Sequence, residues 1–160
     1  MERERKFLVE QTPARLARFP HQRIRQGYLA TSNGRGDAEI RLRDDGEKHL
    51  LTAKQGSGGT RTEIEVPIGG KAFRSLWRLT KGRRLEKVRY RIPVGRLTIE
   101  LDVYRGKLDG LRTAEVEFST AGQLRKFRPP PWLGREITGE QKYSNSRLAT
   151  LNRRPATAKH

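Results

Sequence analysis

Charged residues recur with a period of two along six stretches of this 160-residue chain, in five of them alternating with apolar residues, and in several stretches the charges carry a single sign. Lys87, Arg89 and Arg91 form an all-basic row around Val88 and Tyr90. Glu100 with Asp102, and Glu115 with Glu117, form all-acidic rows flanked by Leu101, Val103, Val116 and Phe118. Arg41 and Arg43 alternate with Ile40 and Leu42, and Arg61, Glu63 and Glu65 with Ile64 and Val66. Glu2, Glu4 and Lys6 share one face at the start of the chain, with Arg3 and Arg5 between them. Extended backbone puts i and i+2 on one face, so each charged row points one way and its apolar neighbours the other.

One such strand is what any half-exposed antiparallel sheet shows. Single-sign rows are different, because like charges side by side destabilise a sheet unless an opposite charge, a metal or a ligand lies across from them. A sheet closed on itself supplies that opposition. The expected fold class is therefore α+β: about eight antiparallel strands in a β-barrel or strongly curled sheet, with a charged lumen and helices packed on the outside. Phe73, Leu76, Trp77 and Leu79 give a helix over 71–80 an apolar stripe suited to cover the outer face.

Strands are expected over 2–9, 23–30, 39–43, 49–54, 61–68, 85–93, 97–104 and 113–119, with turn chemistry at 33–37 and 44–46. Thr12-Pro13 suits the start of a short helix through Leu16 to Phe19. Two further short helices are expected over 121–127, ended by Pro129-Pro130-Pro131, and over 144–151. The reading is one domain over 1–151 with a basic, frayed tail over 152–160.

Composition narrows the chemistry. Cysteine is absent, which excludes disulfides and thiolate metal sites, and His21, His49 and His160 have no zinc spacing. Any metal is then held by carboxylates, which points to a hard ion such as Mg²⁺ or Mn²⁺. No apolar run is long enough to span a bilayer and the N-terminus lacks a signal-peptide pattern, so a cytoplasmic protein without membrane contact is expected. The net charge of +17 favours polyanionic partners. Gly56-Ser57-Gly58-Gly59 is a loose turn rather than a P-loop, since no Gly-Lys-Ser/Thr follows. Trp77 and Trp132 read as packing anchors.

In order along the chain stand Glu2-x-Glu4-x-Lys6, Arg41-x-Arg43, Lys54, Arg61-x-Glu63-x-Glu65, Lys87-x-Arg89-x-Arg91, Glu100-x-Asp102 and Glu115-x-Glu117. Gly134-Arg135-Glu136-Ile137-Thr138 and Lys142-Tyr143-Ser144-Asn145 close the series. The ordered set resembles the CYTH superfamily, also called triphosphate tunnel metalloenzymes, over roughly residues 1–151. With Gln26-Gly27-Tyr28-Leu29 the short form looks most like bacterial inorganic triphosphatases. The resemblance implies an eight-stranded tunnel that binds a triphosphate with Mg²⁺ or Mn²⁺ and hydrolyses it.

Roles follow as expectations. Glu2, Glu4, Glu115 and Glu117, helped by Glu63 and Asp102, are the expected metal ligands, since facing carboxylates repel unless an ion sits between them. Glu65 and Glu100 balance neighbouring cations. Lys6, Arg41, Arg43, Lys54, Arg61, Arg89, Arg91 and Lys142 are the expected phosphate clamps, with Arg91 or Arg61 the weakest. Lys87, in a congested cationic row that depresses its pKa, is the expected proton-transfer group, and Tyr28 is expected either to orient water or to pack as a barrel aromatic.

Rival readings are an adenylyl cyclase or a thiamine triphosphatase within the fold, and an RNA- or polyphosphate-binding module outside it. The signature rows hold eight bases and eight acids, so the whole +17 surplus lies elsewhere and any nucleic-acid binding is expected to be incidental. The small-molecule partner is a triphosphate, and a homodimer is compatible with the sequence.

Overall fold

The computed structural model describes residues 3–32, 38–56 and 61–156. Among these residues are eight strands: β1 (Glu4–Leu8), β2 (His21–Ala30), β3 (Glu39–Asp44), β4 (His49–Gln55), β5 (Thr62–Ile68), β6 (Arg84–Val94), β7 (Leu97–Tyr104) and β8 (Arg112–Glu117). Every pairing is antiparallel, in the order β1-β8-β7-β6-β2-β3-β4-β5. The sheet curls until residues of both edge strands, Glu4 and Lys6 on β1 and Glu63 on β5, line one cavity. Among the described residues no ladder joins β1 to β5.

The gap beside β1 is taken by the chain after residue 133. Gly134 N–H donates to the Leu8 carbonyl at 2.7 Å, Leu8 N–H to Arg135 at 2.8 Å, and Ile137 N–H to Lys6 at 2.8 Å. Lys6 N–H in turn donates to the Thr138 hydroxyl at 2.9 Å. This satisfies the edge of β1 without a ninth strand. Gly134 is needed there because a Cβ would lie 2.7 Å from the Leu8 carbonyl oxygen.

The apolar residues form two clusters. The first lies outside the sheet: Phe7, Ile99, Leu101, Val116 and Phe118 pack under Leu124, Phe127, Trp132 and Leu133, with Leu16 and Phe19 alongside. The second lies on the lumen face, where Leu8, Tyr28, Leu85 and Tyr104 meet Ile137, Tyr143 and Leu148. It plugs the deep end of the curled sheet.

The helices differ in detail from expectation. Arg15 adopts φ 59°, so the expected N-terminal helix is only the 3₁₀ turn Leu16–Arg18. Helix α1 (Gly70–Trp77) buries Phe73, which stacks on His49 at 4.4 Å and on Trp77 at 5.3 Å. Its close approach to β2 depends on Gly27, where a Cβ would lie 2.7 Å from Thr80 Oγ1 and 2.9 Å from Trp77. Beyond Trp77 the chain tightens into a 3₁₀ turn, Arg78–Thr80, which changes the period and leaves Leu79 62% exposed rather than in the stripe. Ile64 and Val66 of β5 also remain exposed, so the outer cover is chiefly the chain over 124–133. Helices α2 (Ala121–Lys126) and α3 (Asn145–Leu148) are capped by the Thr120 and Ser144 side chains.

Candidate active site

The registers put the charged rows opposite one another on the lumen face. Glu4 pairs across from Glu117, Lys6 from Glu115, Arg89 from Asp102 and Arg91 from Glu100. Glu100 also faces Glu115, and Lys54 faces both Glu39 and Glu63. Exposure falls along each row toward the plug. Arg91 is 44% exposed at its side chain, Arg89 is 10%, and Lys87 is 0%. Glu117 is exposed, Glu115 half-buried and Thr113 buried. The site is thus a cup with an open, mixed-charge rim and a dry floor.

A cavity of about 450 Å³ lies within it, lined by Glu4, Lys6, Arg41, Arg43, Lys54, Arg61, Glu63, Arg89, Glu115 and Glu117, with Tyr28, Glu39, Gln141, Ser144 and Asn145. A second cleft, of about 620 Å³, shares Glu4, Glu115 and Glu117 with it and adds Arg3, Arg91, Arg96 and Glu100. The carboxylate row therefore stands between rim and interior.

On the cationic side, Arg41 is only 8% exposed. Its Nη2 donates to Thr52 Oγ1 at 3.3 Å and stands 3.9 Å from Glu65, while its buried Nε has no partner among the described residues. Arg43 donates through Nε and Nη2 to Gln26 Oε1 at 3.1 and 3.0 Å. Burial, with Arg41 and Arg89 nearby, lowers its pKa to about 10. Burial and Arg41 also lower Lys54, whose Nζ lies 4.0 Å from Glu63. Lys6 Nζ donates to the Tyr143 carbonyl at 2.8 Å. Several cations crowded into a half-dry cavity, one with an orphan donor, form a receptor for a multiply charged anion.

Beneath the wall, Lys87 Nζ donates to Asp102 Oδ2 at 2.8 Å and to Asn145 Oδ1 at 3.4 Å. Arg89 completes the cluster, reaching Asp102 Oδ1 and Oδ2 at 2.8 and 3.0 Å. Burial alone would raise the Asp102 carboxyl, but Lys87 and Arg89 hold it well below the ordinary carboxylate range. Burial lowers Lys87 to about 7, with Arg89 and Arg43 adding to the effect and Asp102 opposing it. The depression expected from the cationic row is present, with desolvation as its larger cause.

The other sequence-derived positions divide as follows. Asp102, expected among metal ligands, has both oxygens engaged by Lys87 and Arg89. Arg91 lies at the rim, 3.8 Å from Glu100. Lys142 is outside the cavity, and its ammonium donates to the Ala156 carbonyl at 3.1 Å. Glu2 falls outside the described residues. Tyr28 is 1% exposed, its hydroxyl accepts from Gln26 Nε2 at 3.0 Å, and burial raises its pKa to about 12. The sequence assigns no role to Gln26, Glu39, Tyr104 or Asn145, although Asn145 accepts from both Lys87 and Tyr104 (2.6 Å). None of them carries a charge-pattern signal beyond Glu39, which begins the Arg41 row.

The chain matches the CYTH domain over residues 1–149. It belongs to the CYTH domain family. An inorganic triphosphatase of Nitrosomonas europaea is 43% identical over 149 residues, 91% of this chain and 95% of that protein. Another, of Acetivibrio thermocellus, is 35% identical over 127 residues, 78% of each. A crystal structure of an inorganic triphosphatase, 38% identical, matches with a TM-score of 0.75 over 96% of this chain and 97% of that one. A chain from Hippeastrum, 18% identical with a TM-score of 0.55 over 78% of this chain and 83% of that one, shares the CYTH fold.

Among the described residues no three acidic or histidine side chains already stand together as a ready metal cluster. The donor set nonetheless fits a hard divalent ion. Glu4 and Glu117 face each other directly, Glu115 is beside them, and all are oxygen donors on one cavity. Mg²⁺ is commonly held by one or two carboxylates, with substrate phosphate and water filling its other positions, so a prebuilt cage is not required.

Proposed function

We propose that this protein is a divalent-metal-dependent triphosphatase that cleaves inorganic triphosphate to pyrophosphate and phosphate. The observation that carries the reading is the single cavity in which Lys6, Arg41, Arg43, Lys54 and Arg89 face Glu4, Glu63, Glu115 and Glu117. Its likeness to inorganic triphosphatases, over 91% and 96% of the chain in two comparisons and 78% in a third, supports it. The substrate's phosphates lie against Arg41, Arg43, Lys54, Lys6 and Arg89, with Arg61 and Arg91 at the entrance. Arg41 Nε offers a donor with no other use.

Glu4, Glu115 and Glu117, with Glu63, would hold Mg²⁺ or Mn²⁺, which would supply neutralisation of the phosphate oxygens and a lower charge barrier to attack. Asp102 is better suited to hold Lys87 and Arg89 than to bind metal. Water attacks the terminal phosphorus, the P–O bond to the leaving pyrophosphate breaks, and one water proton is released. Neutral Lys87, with a pKa near 7, is the acceptor we assign to that proton; it lies behind the cavity wall and meets the cup through Asn145, which lines it. Tyr28 stays protonated and, with Gln26 donating to its oxygen, has its own O–H left to orient the water. The apolar plug ends the cup, which suits a short anion.

An adenylyl cyclase needs a platform for adenine. Tyr28 is the aromatic residue on the cavity wall among the described residues, and its ring is buried in the plug, which favours inorganic triphosphate over a nucleotide. Phosphate release from inorganic triphosphate, ATP and thiamine triphosphate in Mg²⁺, Mn²⁺ or EDTA tests the reading. Fast, EDTA-sensitive cleavage of inorganic triphosphate with slow ATP turnover is expected. Cyclic AMP from ATP, or no turnover at all, overturns it.

A further inference from the structure

On the far side of the plug lies a larger concavity, about 1070 Å³, with Lys142, Arg147, Arg153 and Arg154 on its walls and no carboxylate among its lining residues. All four cations are exposed. Some outer cations are paired, as Arg5 is with Glu136, Arg23 with Glu86, Arg25 with Asp44 and Arg135 with Glu140, whereas the groove gathers four cations in one concavity without a carboxylate. Among the described residues no ion pair is found for Arg147, Arg153 or Arg154. Converging unpaired cations repel one another, and a multiply charged anion reverses that cost.

The groove is shaped as well as charged. Gly110, at φ 94°, forms part of its floor, and the Arg154 guanidinium fills the space that a Cβ there would occupy. Lys142 is held in place by the Ala156 carbonyl, which leaves two of its donors for a ligand. The chain over 141–147 divides the two cavities: Gln141, Ser144, Asn145 and Ser146 line the catalytic cup, while Lys142 and Arg147 line the groove.

We infer that this groove is a second anion site, separate from the cup, that binds inorganic polyphosphate. The lining has no aromatic side chain on which a base could stack, so a bare phosphate chain fits it better than single-stranded nucleic acid. The site does not depend on the hydrolytic reading, because none of Arg147, Arg153 and Arg154 belongs to the cup.

Calorimetric titration with inorganic triphosphate in EDTA, the probe checked for integrity by ³¹P NMR, tests the inference. Two anions per chain are expected for the wild type. Arg147→Ala/Arg153→Ala/Arg154→Ala should keep one, with affinity for the other lowered tenfold or more, and should hydrolyse inorganic triphosphate in Mg²⁺ as the wild type does. Arg41→Ala/Arg43→Ala should lose the other. The double variant Arg147→Gln/Arg153→Gln repeats the test should the triple variant fold poorly. One anion per wild-type chain, or two in the triple variant, overturns the inference. An oligonucleotide of similar charge that binds the groove more tightly than the polyphosphate, and is released by the same substitutions, overturns the ligand class. Absence of phosphate release in Mg²⁺ would count against the hydrolase reading alone.

Discussion

At the scale of residues, the cluster of Lys87, Arg89, Asp102 and Asn145 concentrates the electrostatic risk of the fold. Asp102→Asn keeps the shape but leaves two buried cations facing a neutral amide. Removing one partner of a buried pair typically costs about 3–5 kcal/mol. Chemical denaturation should show a loss near the low end, because Lys87 can shed its proton. The same change removes the charge that raises Lys87, so its pKa falls further. In the wild type, kcat should rise with pH between about 6 and 8 as Lys87 becomes neutral, with an apparent pKa near 7. In Asp102→Asn that limb should move to lower pH. In Lys87→Ala it should vanish along with most of the rate, and a retained limb with near-normal kcat would remove Lys87 from the chemistry. Arg41→Ala tests the clamp: a charge-assisted contact is worth about 1.5–3 kcal/mol, so kcat/KM for inorganic triphosphate should fall about 10- to 100-fold without a change in unfolding.

At the scale of elements, the free edge of β1 is closed by the chain over 134–138 rather than by β5. Gly134→Ala would push a methyl into the Leu8 carbonyl, which is backbone and cannot swing away. Overpacking of this kind costs about 1–3 kcal/mol. Hydrogen exchange should report it as lost protection at Leu8 and Ile137, whose amides bond across that seam. Unchanged protection there would mean that the seam yields without opening. This seam also marks where the sequence stops being legible. The charged lumen faces of six strands could be read because their charged rows keep the period of two. The seam is made by backbone groups and one side-chain hydroxyl, that of Thr138, which leave no periodic side-chain pattern. The plug is equally silent, since Leu8, Leu85 and Tyr104 continue the lumen face in apolar form and look like ordinary core. Lys142 and Asn145 are only three positions apart. A 3₁₀ turn over Gln141–Tyr143 followed by α3 sends one to the outer groove and the other to the cup, a choice that spacing alone does not dictate.

At the scale of the molecule, the surplus of +17 lies outside the nearly balanced rows of the cup. It acts on approach rather than on the chemical step. Charge spread over an outer surface raises the encounter rate with a small polyanion by factors of about 10 to 10³, and this field is screened as the Debye length shrinks below about 10 Å near 0.1 M salt. Contacts inside the half-dry cup are screened far less. Raising monovalent salt from about 20 to 300 mM at saturating Mg²⁺ should therefore lower kcat/KM by about tenfold, mainly through KM, with kcat changed less than about twofold. Lys71, Arg74 and Arg78 stand exposed on and just beyond α1, apart from the cup and the groove. Reversing all three, as Lys71→Glu/Arg74→Glu/Arg78→Glu, should flatten the salt dependence while leaving kcat at low salt intact. If salt instead lowers kcat and kcat/KM in equal measure, the cations that matter lie within the cup, and the outer surplus has no part in drawing substrate in.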